Sequence, residues 1–207
     1  MILLVDNYDS FVYNLYQFIG EALANIKGYD LEDSNDLDKI YEEIKVIRND
    51  EMDLDEIREL NPDYIILSPG PGKPSDAGIC KGIVKEYIDG DVPILGVCLG
   101  HQAICEELGA SIIHAKELMH GKTSVISFEE DKIFNGLDEK IKVARYHSLA
   151  VDNDTIPDSL EILSKADDGE VMAVKHKSNN IYGLQFHPES VLTPEGLVIV
   201  ENFLKIA

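Results

Sequence analysis

Apolar and polar positions in the first half of the chain follow two alternating rhythms. Short apolar runs at Ile2–Val5, Tyr64–Leu67 and Pro93–Val97 have the length of buried strands, and Ile44–Arg48 reads as a further strand. Between them, Ser10–Leu23, Leu54–Leu60 and Ala77–Ile88 place apolar residues at helical spacing. Strands alternating with helices predict βαβ units and a parallel sheet. The second half changes character. Thr123–Phe128, Lys142–Ala144, Leu160–Ala166, Val171–His176 and Ile181–Gln185 read as successive strands separated by turn signals, and Leu197–Ile206 as a closing helix. The expected architecture is α/β: one domain over 1–207, with a central mostly parallel sheet flanked by helices and a smaller antiparallel β part in the second half. Residues 27–43 interrupt the rhythm with an acidic stretch, read as a surface insertion with a helix around Asp36–Glu43.

The most informative junction is Pro93–Gln102, where a strand pattern turns abruptly into a helix pattern with Cys98 at the turn. Gly96 and Gly100 flank it in a G-x-C-x-G arrangement, the thiol counterpart of the G-x-S-x-G nucleophile elbow. A thiol at a helix N-terminus is favoured as thiolate, the nucleophilic form. Cys80 and Cys105 lack this setting; each fits a helix interior and reads as a small buried hydrophobe.

Three other segments bear on Cys98. Ser68-Pro-Gly-Pro-Gly72-Lys-Pro74 directly follows a strand, where loops of a doubly wound sheet form the ligand crevice. A Pro/Gly loop there holds backbone N–H groups close to a ligand, although Pro and Gly also punctuate ordinary turns. Gly183-Leu-Gln-Phe-His187-Pro-Glu189 ends a strand with a base and a carboxylate two residues apart, the pairing a thiol nucleophile requires. His101, three residues beyond Cys98 on the helix, is expected to face elsewhere. Arg145-Tyr-His-Ser148-Leu149, read as the start of a strand, offers backbone and hydroxyl groups to a polar substrate.

Composition narrows the classes. The chain has 207 residues, 44% hydrophobic and 28% charged, enough for one domain with a full core. A net charge of −21 argues against binding nucleic acid or an anionic membrane through a broad face. The apolar runs are strand-sized, so no membrane span is expected. Three dispersed cysteines make neither a disulfide framework nor a zinc site, and free thiols suit a cytoplasmic protein with no metal.

Taken together, Gly-Val-Cys98-Leu-Gly-His-Gln102, His187-Pro-Glu189-Ser and Ser68-Pro-Gly-Pro-Gly72 resemble the class I (triad) glutamine amidotransferases, whose sheet is flavodoxin-like. The opening Val5-Asp-Asn7-Tyr-Asp-Ser-Phe11-Val-Tyr-Asn-Leu15, with Met119–Ser124, Arg145–Leu149 and Gln185–Ser190, is similar to the glutaminase subunits of anthranilate synthase. The match to those of aminodeoxychorismate synthase is nearly as good. The resemblance implies a catalytic triad of Cys98, His187 and Glu189, and an oxyanion hole from the backbone N–H groups of Leu99 and Gly72. It further implies L-glutamine bound by Gly70, Pro71, Gly72, Gln102, Ser148 and Leu149, with no cofactor. The implied partner is a chorismate-binding synthase subunit that receives ammonia, docked over the Cys98 crevice near Asn7–Phe11 and His120–Ser124. The glutaminase subunit of GMP synthase, and a free-standing thiol hydrolase of γ-glutamyl compounds, are the competing readings.

Overall fold

The computed structural model describes residues 1–206; Ala207, the last residue of the expected domain, lies outside the described residues. The first half builds the expected βαβ units: β1 (Ile2–Asp6), α1 (Val12–Lys27), α2 (Ser34–Glu43), β2 (Ile44–Arg48), α3 (Leu54–Leu60), β3 (Tyr64–Leu67), α4 (Cys80–Tyr87), β4 (Ile94–Val97) and α5 (Leu99–Glu107). The second half contributes β5 (Ile112–His114), β6 (Lys122–Phe128), β7 (Lys140–Arg145), β8 (Leu149–Val151), β9 (Leu160–Ala166), β10 (Val171–His176), β11 (Ile181–Leu184) and α6 (Gly196–Leu204).

Nine strands form one sheet in the order β2-β1-β3-β4-β11-β10-β9-β6-β7, and β5 and β8 pair in a separate two-stranded sheet. Pairing from β2 through β11 is parallel, and from β11 outward to β7 it is antiparallel. The last strand in sequence therefore inserts at the centre, directly beside β4. This topology places the end of β11 against the end of β4, with Leu184 opposite Val97.

Local chemistry explains where the helices depart from expectation. α1 continues past Leu23 through Lys27 and stops at Gly28, whose left-handed backbone (φ 72°) returns its N–H to the Ala24 carbonyl. α4 begins at Cys80 rather than Ala77, after Gly78 adopts φ 51° tight against the Asn49 backbone. In the 27–43 stretch, α2 is capped by the Asp33 side chain and buries only Ile40. Arg145 ends β7, Tyr146–Ser148 forms the connection and Leu149 begins β8, so this segment leads into one strand while also closing another. The apolar cores lie on both faces of the sheet, with the α1 and α6 layer on one side and α3, α4 and α5 on the other. No described helix is long and apolar enough to cross a membrane.

Candidate active site

Cys98 occupies the one-residue turn between β4 and α5, with φ 51° and ψ −100°, a conformation L-residues rarely adopt. The flanking glycines are there for space. A Cβ on Gly96 would lie 2.5 Å from the Gly100 carbonyl carbon, and one on Gly100 would overlap the Leu67 carbonyl oxygen. The strand and helix thus cross in direct backbone contact, and the turn can close only over a sharp corner. The Cys98 N–H donates to the Leu184 carbonyl (2.7 Å), and its own carbonyl accepts from the Gln102 N–H (3.0 Å). The thiol is 8% exposed at the positive end of α5.

His187 lies beyond the end of β11, 5% exposed. Its N–H donates to the Ala144 carbonyl (3.0 Å), and the Thr193 hydroxyl donates to its carbonyl (2.7 Å) while accepting from the Ala144 N–H (3.0 Å). The ring is oriented through one of its two nitrogens. Nδ1 sits 2.7 Å from Glu189 Oε1, while Nε2 has no partner with hydrogen-bond geometry. Burial disfavours the charged ring, yet the nearby Cys98 sulfur and the Glu189 carboxylate together raise its pKa well above the ordinary histidine value. Tyr146 packs edge-on against this ring at 5.1 Å. Asp9, in the loop before α1, faces the same pair, and burial raises its carboxyl above the usual range.

A cleft of about 150 Å³ opens in front of Cys98, lined by Gly70, Pro71, Gly72, Leu99, Gln102, Tyr146, His147, Ser148 and Leu149. Every residue expected to contact substrate through backbone or side chain is on that wall. A second cavity of about 380 Å³ also has Tyr146 in its wall, with Phe11, Phe18, His187, Glu189 and Val191 around it. Cys98 thus lines one opening and His187 and Glu189 the other, with Tyr146 lining both.

Two buried polar systems, one centred on Asn7 and one on Arg145, hold the cleft walls. Asn7 donates through its N–H to Ser68 Oγ and through its side chain to the Ser68 carbonyl (both 2.8 Å), and its Oδ1 accepts from Asn49 (2.9 Å). Gly70 lies so close to Asn7 that a Cβ would sit 2.5 Å from its carbonyl oxygen. Gly72 takes φ 85°, beside an Asp76 carboxylate that accepts the next N–H (3.1 Å). Arg145, 1% exposed, pairs with Asp168 (2.7 Å) and Glu170 and donates to His147 Nε2 (3.1 Å). Burial, reinforced by the Arg145 charge, lowers the His147 pKa to about 4, so the ring is neutral.

His101 and the other two cysteines stand apart from the cleft. His101 is fully buried beside Cys105 (3.7 Å), and burial drives its pKa down to about 3. Burial pushes the Cys80 thiol up to about 12 and the Cys105 thiol higher, which makes both poor nucleophiles. Sequence reading did not single out Asn7, Asp9 or Gln185 as parts of the site. Gln185 was detectable in principle, as a polar residue closing the otherwise buried Ile181–Leu184 strand.

The family profile "Glutamine amidotransferase class-I" matches residues 3–207. The chain is 47% identical over 205 residues to a Thermotoga maritima "Bifunctional protein TrpGD", covering 99% of this chain and 32% of that one. It is 43% identical over 210 residues to "Anthranilate synthase component 2" of Pseudomonas putida, covering 99% and 96%. Identity is 42% over 205 residues to the Bacillus subtilis "Aminodeoxychorismate/anthranilate synthase component 2", again covering 99% and 96%. Among solved structures, a Thermoplasma acidophilum protein provisionally described as part of GMP synthase superposes with a TM-score of 0.77 at 28% identity, covering 99% of this chain and 92% of that one. With a family match over residues 3–207 and the Pseudomonas and Bacillus relatives aligned over 99% of this chain and 96% of their own, the chain belongs to the class I glutamine amidotransferases.

Proposed function

We propose that this chain hydrolyses L-glutamine at Cys98 and delivers the ammonia to anthranilate synthase component I, the chorismate-binding synthase subunit that forms anthranilate. The observation that carries the reading is the buried His187–Glu189 pair at 2.7 Å, beside the Cys98 elbow and next to a cleft floored by Gly70–Gly72. In this mechanism the Cys98 thiolate adds to the side-chain amide carbon of glutamine. Backbone N–H groups of Leu99 and Gly72 hold the oxyanion; one such donor is worth about 3 kcal/mol. Imidazolium His187, held by Glu189, gives its proton to the departing nitrogen, and ammonia leaves a γ-glutamyl thioester. His187 then takes a proton from water as the water oxygen attacks the thioester carbonyl. Collapse of that adduct releases glutamate and regenerates the thiolate. Gly70, Pro71, Gly72, Gln102, Ser148 and Leu149 hold the substrate during both steps.

Ammonia released into water at neutral pH is protonated and ceases to be a nucleophile, so its consumer must sit over the site. Phe11 is 50% exposed and Val191 91% exposed at the second cavity's rim, an apolar edge suited to burial by the synthase partner near Asn7–Phe11 and His120–Ser124. The names of the Pseudomonas and Bacillus relatives support the anthranilate pathway, and free buried thiols suit a cytoplasmic setting. The Bacillus relative's double name favours a second reading, in which the same chain also serves aminodeoxychorismate synthesis.

The test mixes this chain with the chorismate-binding partner from the same host and measures glutamine-dependent anthranilate. Activity that Cys98→Ala abolishes, while ammonium salts still support synthesis, is the expected result. Glutamine hydrolysis without anthranilate overturns the pathway and sends the assay to aminodeoxychorismate and GMP. Hydrolysis that no synthase partner stimulates favours a free-standing thiol hydrolase.

A further inference from the structure

Gln185 is fully buried, and no role has been assigned to it above. It follows Leu184, which pairs in register with Val97, so it emerges from β11 at the level where Cys98 leaves β4. Its own N–H donates to the Met172 carbonyl (2.9 Å), which fixes the backbone. The side chain reaches two groups: Nε2 lies 3.6 Å from Cys98 Sγ, and Oε1 accepts from Gln102 Nε2 at 3.0 Å.

The direction of these bonds follows from groups that cannot reverse. The Leu149 peptide oxygen can only accept, and it receives Gln102 Nε2 at 2.9 Å. The Gln102 amide nitrogen must therefore face Leu149, and its second N–H faces Gln185. Only the Gln185 oxygen can meet that N–H, so the Gln185 NH2 group is left for the sulfur. The same Leu149 oxygen receives His147 Nδ1 (2.9 Å), which puts the ring proton there and leaves Nε2 bare for the obligate donor Arg145. A peptide oxygen and a guanidinium thus polarise one buried chain of amides, and it ends with a donor aimed at the nucleophile.

We propose that Gln185 is a positioning residue for the reaction, holding the Cys98 sulfur as an anion through its N–H and locking the Gln102 amide through its carbonyl. The inference rests on the reading of Cys98 as the nucleophile. An N–H directed at sulfur favours thiolate over thiol, because the thiolate is the stronger acceptor. The lock on Gln102 spends both of that residue's N–H groups and leaves only its Oε1 to offer a ligand. One side chain thereby ties the charge of the nucleophile to the shape of the cleft wall.

The experiment is the pH profile of iodoacetamide alkylation at Cys98 in the full chain, with the modified peptide located by mass. It compares the parent with Gln185→Met, which keeps the volume and removes the donor, and Gln185→Glu, which still accepts from Gln102 but presents an acceptor to sulfur. Removal of one net hydrogen bond to a charged group is expected to move the Gln185→Met midpoint up by about one pH unit. Gln185→Glu is expected to move it further in the same direction. In the complex, Gln185→Met is expected to lower kcat about tenfold and to raise KM through the freed Gln102. A folded Gln185→Met whose alkylation profile overlays the parent's would overturn the proposal and leave Gln185 with packing alone. If Gln185→Met does not fold, an unmoved Gln185→Glu profile has the same force. Alkylation needs neither glutamine nor a synthase, so its outcome stands apart from that of the anthranilate assay.

Discussion

The two sides of the Cys98–His187 pair are held in place by different physics. On the β4–α5 side, position comes from exclusion: Gly96, Gly100 and the Leu67 backbone are in contact, and the chain has no other path through the corner. On the β11 side, position comes from polar bonds, with Ala144, Thr193 and Glu189 each fixing one atom of His187. Exclusion fails all at once when a methyl group is added. A hydrogen-bonded frame weakens one bond at a time and responds to pH. The proposed nucleophile thus sits in the rigid half of the site, and the proposed base in the adjustable half.

Four changes break or sharpen that contrast, in descending order of effect. Glu189→Gln leaves the shape of the polar frame intact but removes the charge that holds the His187 imidazolium. It is expected to lower kcat roughly 10³-fold with little change in KM, as steady-state glutaminase assays of the complex would show. A fall under tenfold would deny Glu189 that part. Gly100→Ala attacks the excluded side. Its methyl group has nowhere to go, and a loss of about 3 kcal/mol in denaturant unfolding is expected, with protein yield falling in step. A small loss would mean that the strand–helix crossing can open.

Thr193→Val removes one hydroxyl that both donates to His187 and accepts from Ala144. About 1–2 kcal/mol of stability and a several-fold drop in kcat are expected, measured on the same preparations. The smallest effect is a pH slope. Burial and the Arg145 charge hold the folded His147 pKa near 4, while the unfolded ring titrates near the usual value of about 6.5. Between these values the unfolded chain binds a proton the folded chain refuses, so His147 makes stability fall as pH falls. From pH 7.5 to 5.5 this amounts to about 1 kcal/mol, and His147→Asn is expected to remove it from the denaturation midpoints. An unchanged slope would place the proton elsewhere.

The same division governs how much was legible from sequence. Periodicity marks β1, β3 and β4 because each buries a nearly continuous apolar run, and the glycines around Cys98 announce the elbow directly. The strand order does not follow from pattern. Nothing in Ile181–Leu184 says that it inserts beside β4, yet that insertion brings Gln185 and His187 to Cys98. Strands β5 and β8 escape notice because they are three residues each, and Ile113 and His114 lie exposed, so neither strand shows an alternating pattern. Asn7 and Arg145 gain their meaning from partners 61 and 23 residues away, at Ser68 and Asp168. Such long-range polar pairs leave no periodic trace.

The left-handed backbone at Cys98 also has an evolutionary side. A conformation of this kind costs about 1–3 kcal/mol in a residue with a Cβ, and glycine is relieved of most of it. Cys98→Gly is therefore expected to yield an inert chain that melts later than the active one. Any lineage of this protein freed from the need to hydrolyse glutamine would gain stability by discarding its thiol, and selection for chemistry must continually oppose that drift.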